Sequence, residues 1–161
     1  MKKLFIILSA SISMLLYACG GANGEKTSTG DADNNDASAT ETSSASYDST
    51  RGEGKFKNVE VTDKLNTTMA DAGEKIYGVK CAACHKLTDE KLVGPGWKGV
   101  TTRHKPEWIM NFITNPDAMI DKDPKAKAML EICMVRMPNQ NLNDDDARNV
   151  LEFMRKNDGI K

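Results

Sequence analysis

Large apolar side chains fall unevenly along the 161 residues: densely over 4–16, hardly at all over 20–50, and at helical spacing from Leu65 onward. The last region reads as helices parted by loops. Over 71–80, Gly73 and Tyr77 stand four apart, which puts a small residue and an aromatic on one face. Pro106 suits a first helical turn, and Trp108, Ile109, Phe112 and Ile113 then form one apolar stripe, predicting a helix over about 106–115. Pro116 stops it, because the residue before a proline is pushed out of helical geometry. A further helix over about 124–133 turns Ala128, Met129 and Ile132 inward. The last helix begins at Asn143, a capping residue followed by Asp144, Asp145 and Asp146 at the positive end of the dipole, with Val150, Leu151, Phe153 and Met154 as its buried side. Gly94-Pro95-Gly96 and Gly99 make 91–100 an irregular loop. No strand-like alternation of any length occurs, although 55–61 is a candidate for a short extended segment. The predicted fold class is all-α, with one folded domain over 65–161.

The remaining chain reads as an address and a tether. Lys2 and Lys3 precede the apolar run, and Ala18 and Cys19 close it, which is the pattern of an export signal over 1–18. The run is too short for a permanent membrane-spanning helix, which needs about 20 apolar residues. Leu16-Tyr17-Ala18-Cys19 resembles the lipobox of bacterial lipoproteins, which implies a lipidated Cys19. An ordinary export signal ending by accident at a cysteine is the alternative. Residues 19–64 are expected to form a flexible tether, since their Gly, Ser, Thr, Asn and Asp offer too little apolar surface to offset the entropy of ordering.

Chemistry concentrates in Cys81-Ala82-Ala83-Cys84-His85. Two cysteines three apart on one turn can each form a thioether to a haem vinyl group, and the adjacent histidine is placed to bind iron. A structural zinc site would need a second ligand pair, but only Cys19, Cys133 and His104 remain outside the cluster. A thioredoxin-like pair would be expected after a strand in a βαβ pattern, which is missing. Covalent haem attachment takes place outside the cytoplasm, in agreement with the export signal. Over 65–161, fifteen Lys and Arg face fourteen Asp and Glu, so no strongly basic face for nucleic acid is indicated. A domain this small gains buried surface from a large flat cofactor at its centre.

In the order of these features, residues 69–158 resemble a class I cytochrome c domain: a helix running into Cys-x-x-Cys-His, a Gly-Pro loop, middle helices, a Met-Pro loop and a closing helix with an aromatic. The resemblance implies one covalent haem c and a crossing of first and last helices, with Gly73 and Tyr77 against Val150 and Phe153. It also implies that the Pro95 carbonyl accepts a hydrogen bond from the His85 ring nitrogen that does not touch iron, fixing the imidazole's orientation. Met137, before Pro138, matches the distal methionine, so His85 and Met137 would be the axial ligands. Met134 competes from three residues away, Met119 less so, and His104 reads as a solvated surface histidine. Trp97 is the better candidate for a contact to a haem propionate, with Trp108 as packing. Cys133 is left over, either a small buried hydrophobe or a thiol for pairing between chains.

Iron bound on both sides leaves no open position, so the resemblance implies a non-enzymatic carrier of single electrons. It would be lipid-anchored on the extracytoplasmic (periplasmic) side and would work between a respiratory donor and a terminal reductase or oxidase. The Gly-Pro-Gly-Trp and Met-Pro-Asn-Gln-Asn-Leu segments are similar to cytochrome domains of denitrification reductases. The alternatives are a permanent subunit of one such enzyme and a haem-based gas or redox sensor with an open or displaceable distal ligand.

Overall fold

The computed structural model describes residues 47–161; the export signal 1–18, Cys19 and the tether up to residue 46 lie outside the described residues. Six helices follow in order: α1 (Thr67–Lys80), α2 (Val100–Arg103), α3 (Pro106–Thr114), α4 (Pro116–Lys122), α5 (Pro124–Cys133) and α6 (Asp144–Asn157). Among the described residues the only β pairing is a single bridge between His85 and Lys91. The domain is all-α.

Helices α1 and α6 make the most extensive helix–helix contact among the described residues, and a glycine permits their crossing. A Cβ on Gly73 would stand 2.0 Å from the Asn149 carbonyl oxygen and 2.9 Å from the Phe153 Cβ. Tyr77 then packs on Phe153 with ring centroids 5.3 Å apart, and Val150 and Leu151 are sealed in the core. Lys156 fastens the crossing from outside through Asp71 at 2.9 Å and Glu74 at 3.0 Å. As its sequence indicates, α6 is capped by Asn143, whose side chain accepts from the Asp146 N–H.

Two helices escape the sequence pattern. Pro116 both ends α3 and opens α4: Asn115 before it leaves helical geometry at φ −146° and ψ 67°, while the proline suits a first turn that needs no N–H. Met119 and Ile120 carry the short α4 into the core. At α2 the N-cap Gly99 has no side chain and a φ of 73°, and the cap is supplied from a distance. Asp158, at the end of α6, accepts from the N–H groups of Gly99 and Thr101 and from the Thr101 hydroxyl.

The start of the domain differs from the sequence reading, which assigned 47–64 to the tether. These residues lie along α3 to α5 and then against α6 as a fitted strap, with Arg148 and Arg155 of α6 donating to the Glu60 and Thr62 carbonyls. Asn111, fully buried on α3, donates to the Arg51 and Phe56 carbonyls at 3.0 and 2.9 Å and accepts from the Phe56 N–H at 2.9 Å. Glu107 accepts from the Val59 N–H, and the Tyr47 hydroxyl donates to buried Asp123, which also caps α5. A Cβ at Gly52 would meet the Met119 side chain at 2.6 Å, and φ there is 73°. The folded domain therefore reaches back to Tyr47. Composition concealed this, because Phe56 and Val59 are the few large apolar side chains that the strap packs on the core, and much of its hold comes from polar side chains distant in sequence, Asn111, Glu107 and Asp123. Residues 55–61 form no strand.

Candidate haem site

The Cys-x-x-Cys-His motif continues directly from α1. The N–H groups of Cys81 and Ala82 bond back to the Tyr77 carbonyl, and those of Cys84 and His85 bond to the Cys81 carbonyl at 3.0 Å. A second layer of bonds folds the glycine loop onto this turn: the Gly94 N–H donates to the Cys84 carbonyl and the Trp97 N–H to the Lys86 carbonyl, both at 2.9 Å. The Tyr77 hydroxyl donates to the His85 carbonyl at 2.6 Å. The backbone around His85 is thus held by α1 and by the loop together.

The His85 ring is fixed as well. Its Nδ1 lies 2.9 Å from the Pro95 carbonyl oxygen, which leaves Nε2 for another partner. A Cβ on Gly94 would stand 2.4 Å from the ring Cε1, so only glycine allows the loop this close. Burial lowers the His85 pKa and the Pro95 carbonyl opposes it, which favours the neutral imidazole that binds a metal. Burial also pushes the Cys81 thiol up to about 11. The attacking thiol of a redox-active Cys-x-x-Cys pair is shifted the other way, so this burial does not favour the thioredoxin-like alternative.

Three cavities share His85 and Met137 in their walls. One adds both Cys81 and Cys84, the second adds Cys84 with Phe112, Met129 and Cys133, and the third adds Trp97, His104, Trp108 and Met154. Met134 is 82% exposed with φ 57°, which turns it away from this space. Met119 lies under the strap, its sulfur accepting from the Glu53 N–H at 3.0 Å. Met129 and Phe112 are wall residues whose place at the site sequence spacing did not reveal, since both read as ordinary positions of an inner helix face.

His104 differs from its sequence reading as a solvated residue. Its ring stacks on Trp108 with centroids 3.9 Å apart and planes 13° from parallel, and its Nδ1 is buried without a partner. Burial, helped by Lys125 and Arg103 and opposed by Asp123, pushes its pKa down to about 4. Both tryptophans line the same cavity as His104. Trp97 packs between Tyr77 and His85 at 4.9 and 5.6 Å, whereas the N–H left buried and unpaired belongs to Trp108.

These features fit a haem. Two unpaired thiols and a neutral, oriented imidazole stand beside apolar cavities, and two buried ring nitrogens without protein partners line one of them, where the haem carboxylates would supply acceptors. The sequence profile of the Cytochrome c family matches residues 70–158, more than half of the chain. The chain belongs to the cytochrome c family. It is similar to a cytochrome c from Rhodothermus marinus at 33% identity, with a TM-score of 0.63, over 65% of this chain and 90% of that one. An engineered cytochrome c from the same organism, Rma TDE, is similar at 32% identity and the same TM-score and coverage. This is a class I c-type cytochrome carrying one covalent haem c, and its family transfers electrons to redox partners.

Proposed function

We propose that this cytochrome c is a carrier rather than an enzyme, passing single electrons between extracytoplasmic respiratory partners, with His85 and Met137 as the axial ligands of its iron. The observation that carries the reading is the Met137 side chain in the walls of the same three cavities as His85, one of them shared with both cysteines of the motif. When bound, the haem supplies a one-electron couple, and the protein's part is to hold it and close it off. Cys81 and Cys84 would attach it, the Pro95 carbonyl orients the His85 imidazole that would bind its iron, and the Met137 thioether would be the second iron ligand, one that favours the reduced state. Phe112, Met129 and Leu130, apolar walls of the cavity that Met137 shares, would keep water away from it. With both ligands bound, no position would be left for a substrate.

The donor and acceptor in this reading are a respiratory donor and a terminal reductase or oxidase, with denitrification suggested by the two loop segments. Attachment to a membrane rests on a lipid at Cys19; among the described residues no helix is long and apolar enough to cross one. Met129 supplies the control that tests the ligand assignment, since it is a second thioether in two of the cavities. Met137→Ala is expected to abolish the weak far-red absorption band of methionine-bound ferric haem, and Met129→Ala to preserve it. The opposite result would move the ligand to Met129.

A further inference from the structure

The loop that carries Met137 is fastened to the domain by side chains. Helix α5 ends at Cys133 and α6 begins at Asp144, and among the described residues no backbone-to-backbone hydrogen bond joins 135–142 to another segment. After Met137, the Lys80 ammonium donates to the Gln140 carbonyl at 2.9 Å and the Asn139 amide to the Thr114 carbonyl at 3.5 Å. Directly before Met137, Arg136 donates through Nε to Asp117 at 2.9 Å and through Nη2 to Asp121. Asp117 and Asp121 stand one turn apart on α4, where two like charges repel unless a cation joins them. Helix α4 is a firm anchor. Its Met119 and Ile120 are sealed in the core, and the strap binds it through Glu53, whose N–H donates to the Met119 sulfur and whose carboxylate pairs with Lys122. Ile120 and Arg136 both line the cavity that Met137 shares with His85, so the clamp is built on the wall of that cavity.

We propose that Arg136 is a positioning residue: its fork across Asp117 and Asp121 holds the Met137 loop against α4 and so keeps the Met137 thioether on the iron in the oxidised protein. The inference rests on the reading of Met137 as an axial ligand. A thioether is a soft ligand that favours the reduced state, so it is in the oxidised protein that the loop must be held. Arginine suits the task, because a planar guanidinium can engage two carboxylates in fixed directions where a lysine offers one point charge. Both pairs are open to solvent, the side chain of Arg136 being 41% exposed and those of Asp117 and Asp121 62% and 64%. Exposed pairs contribute little to the stability of a whole domain. Here they act on one loop without a backbone ladder of its own, where a small change in energy alters how often the loop opens. Exposure also makes the clamp sensitive to salt, whose screening length falls from about 30 Å in dilute buffer to about 3 Å near 1 M.

Displacement of the thioether by imidazole in the oxidised holoprotein tests the clamp. The iron–sulfur bond breaks and an iron–nitrogen bond forms with no change of oxidation state, and loss of the far-red band follows the exchange. At a pH where imidazole is uncharged, its approach is indifferent to the charge of a variant. Arg136→Gln removes one positive charge, and Asp117→Asn combined with Asp121→Asn removes two negative ones, yet both break the clamp. Each is expected to speed the exchange by about two- to thirtyfold, the range open to two exposed ion pairs. Arg136→Lys, which keeps the charge and loses the fork, should fall between Arg136→Gln and the unmodified protein. Added salt should speed the exchange in the unmodified protein, a measurement that requires no variant, and leave the two clamp-breaking variants unchanged. Equal rates in all forms overturn the proposal. So do rates that move in opposite directions in the two clamp-breaking variants, which would reveal an effect of charge alone, and so does a salt response that survives in Arg136→Gln. Retention of the far-red band in Met137→Ala would overturn the ligand reading beneath the proposal; with that band lost and the exchange rates unchanged, the clamp alone fails.

Discussion

At Gly73 a single hydrogen atom in place of a methyl group decides how closely two helices meet. An added Cβ would press on the Asn149 backbone carbonyl, which has no flexible end to swing aside. Gly73→Ala is therefore expected to force α1 and α6 apart, lowering stability by about 1–3 kcal/mol. Thermal unfolding of the holoprotein checks it, and an unchanged midpoint would show that the crossing has slack. Gly94 does similar work beside the His85 ring. Both glycines stand in recognisable positions in the sequence, one four residues before Tyr77 and one before Pro95. The stacking of His104 on Trp108 was not legible there: flanking Arg103 and Lys105 suggest a solvated histidine, and only the approach of the chain into α3 lays the ring on the indole.

Among the elements, the strap 47–64 is the least expected. Its hold on the domain centres on Asn111, which satisfies three backbone groups of the strap from a fully buried position. Asn111→Ala leaves those groups without their partner and is expected to cost about 1–3 kcal/mol, read as a lower denaturant midpoint. It should also speed proteolytic nicking around residues 50–60, since local opening would no longer be opposed there. Helices α1, α3, α5 and α6 were visible in the sequence because each has a cap, a proline or an apolar stripe of its own. The strap and α2 were not, because their bonds come from side chains distant in sequence, Asn111 and Asp158. The helix α4 was hidden by a proline that serves two purposes.

For the molecule as a whole, the haem is part of the core. Its attachment residues stand where α1 ends, and the cavity walls draw on α3, α5 and the loop that follows α5. Replacing Cys81→Ser and Cys84→Ser together should therefore remove more than colour. The apolar walls would face water or collapse, and far-UV circular dichroism is expected to show a loss of helix relative to the holoprotein. Retention of full helicity would mean that the polypeptide alone supplies a sufficient core. The motif, the Gly-Pro loop and the Met-Pro loop made the site itself largely legible, since each is local in sequence. The outer wall at Trp108 and His104 was not, because it is assembled by packing.

The central claim is that a bond from each side of the iron leaves only electrons free to pass. Exposure of the reduced, unmodified holoprotein to carbon monoxide tests it most directly. The spectrum is predicted to stay unchanged while Met137→Ala binds the gas readily; rapid binding by the unmodified protein would contradict the account and make it a gas-responsive haem protein.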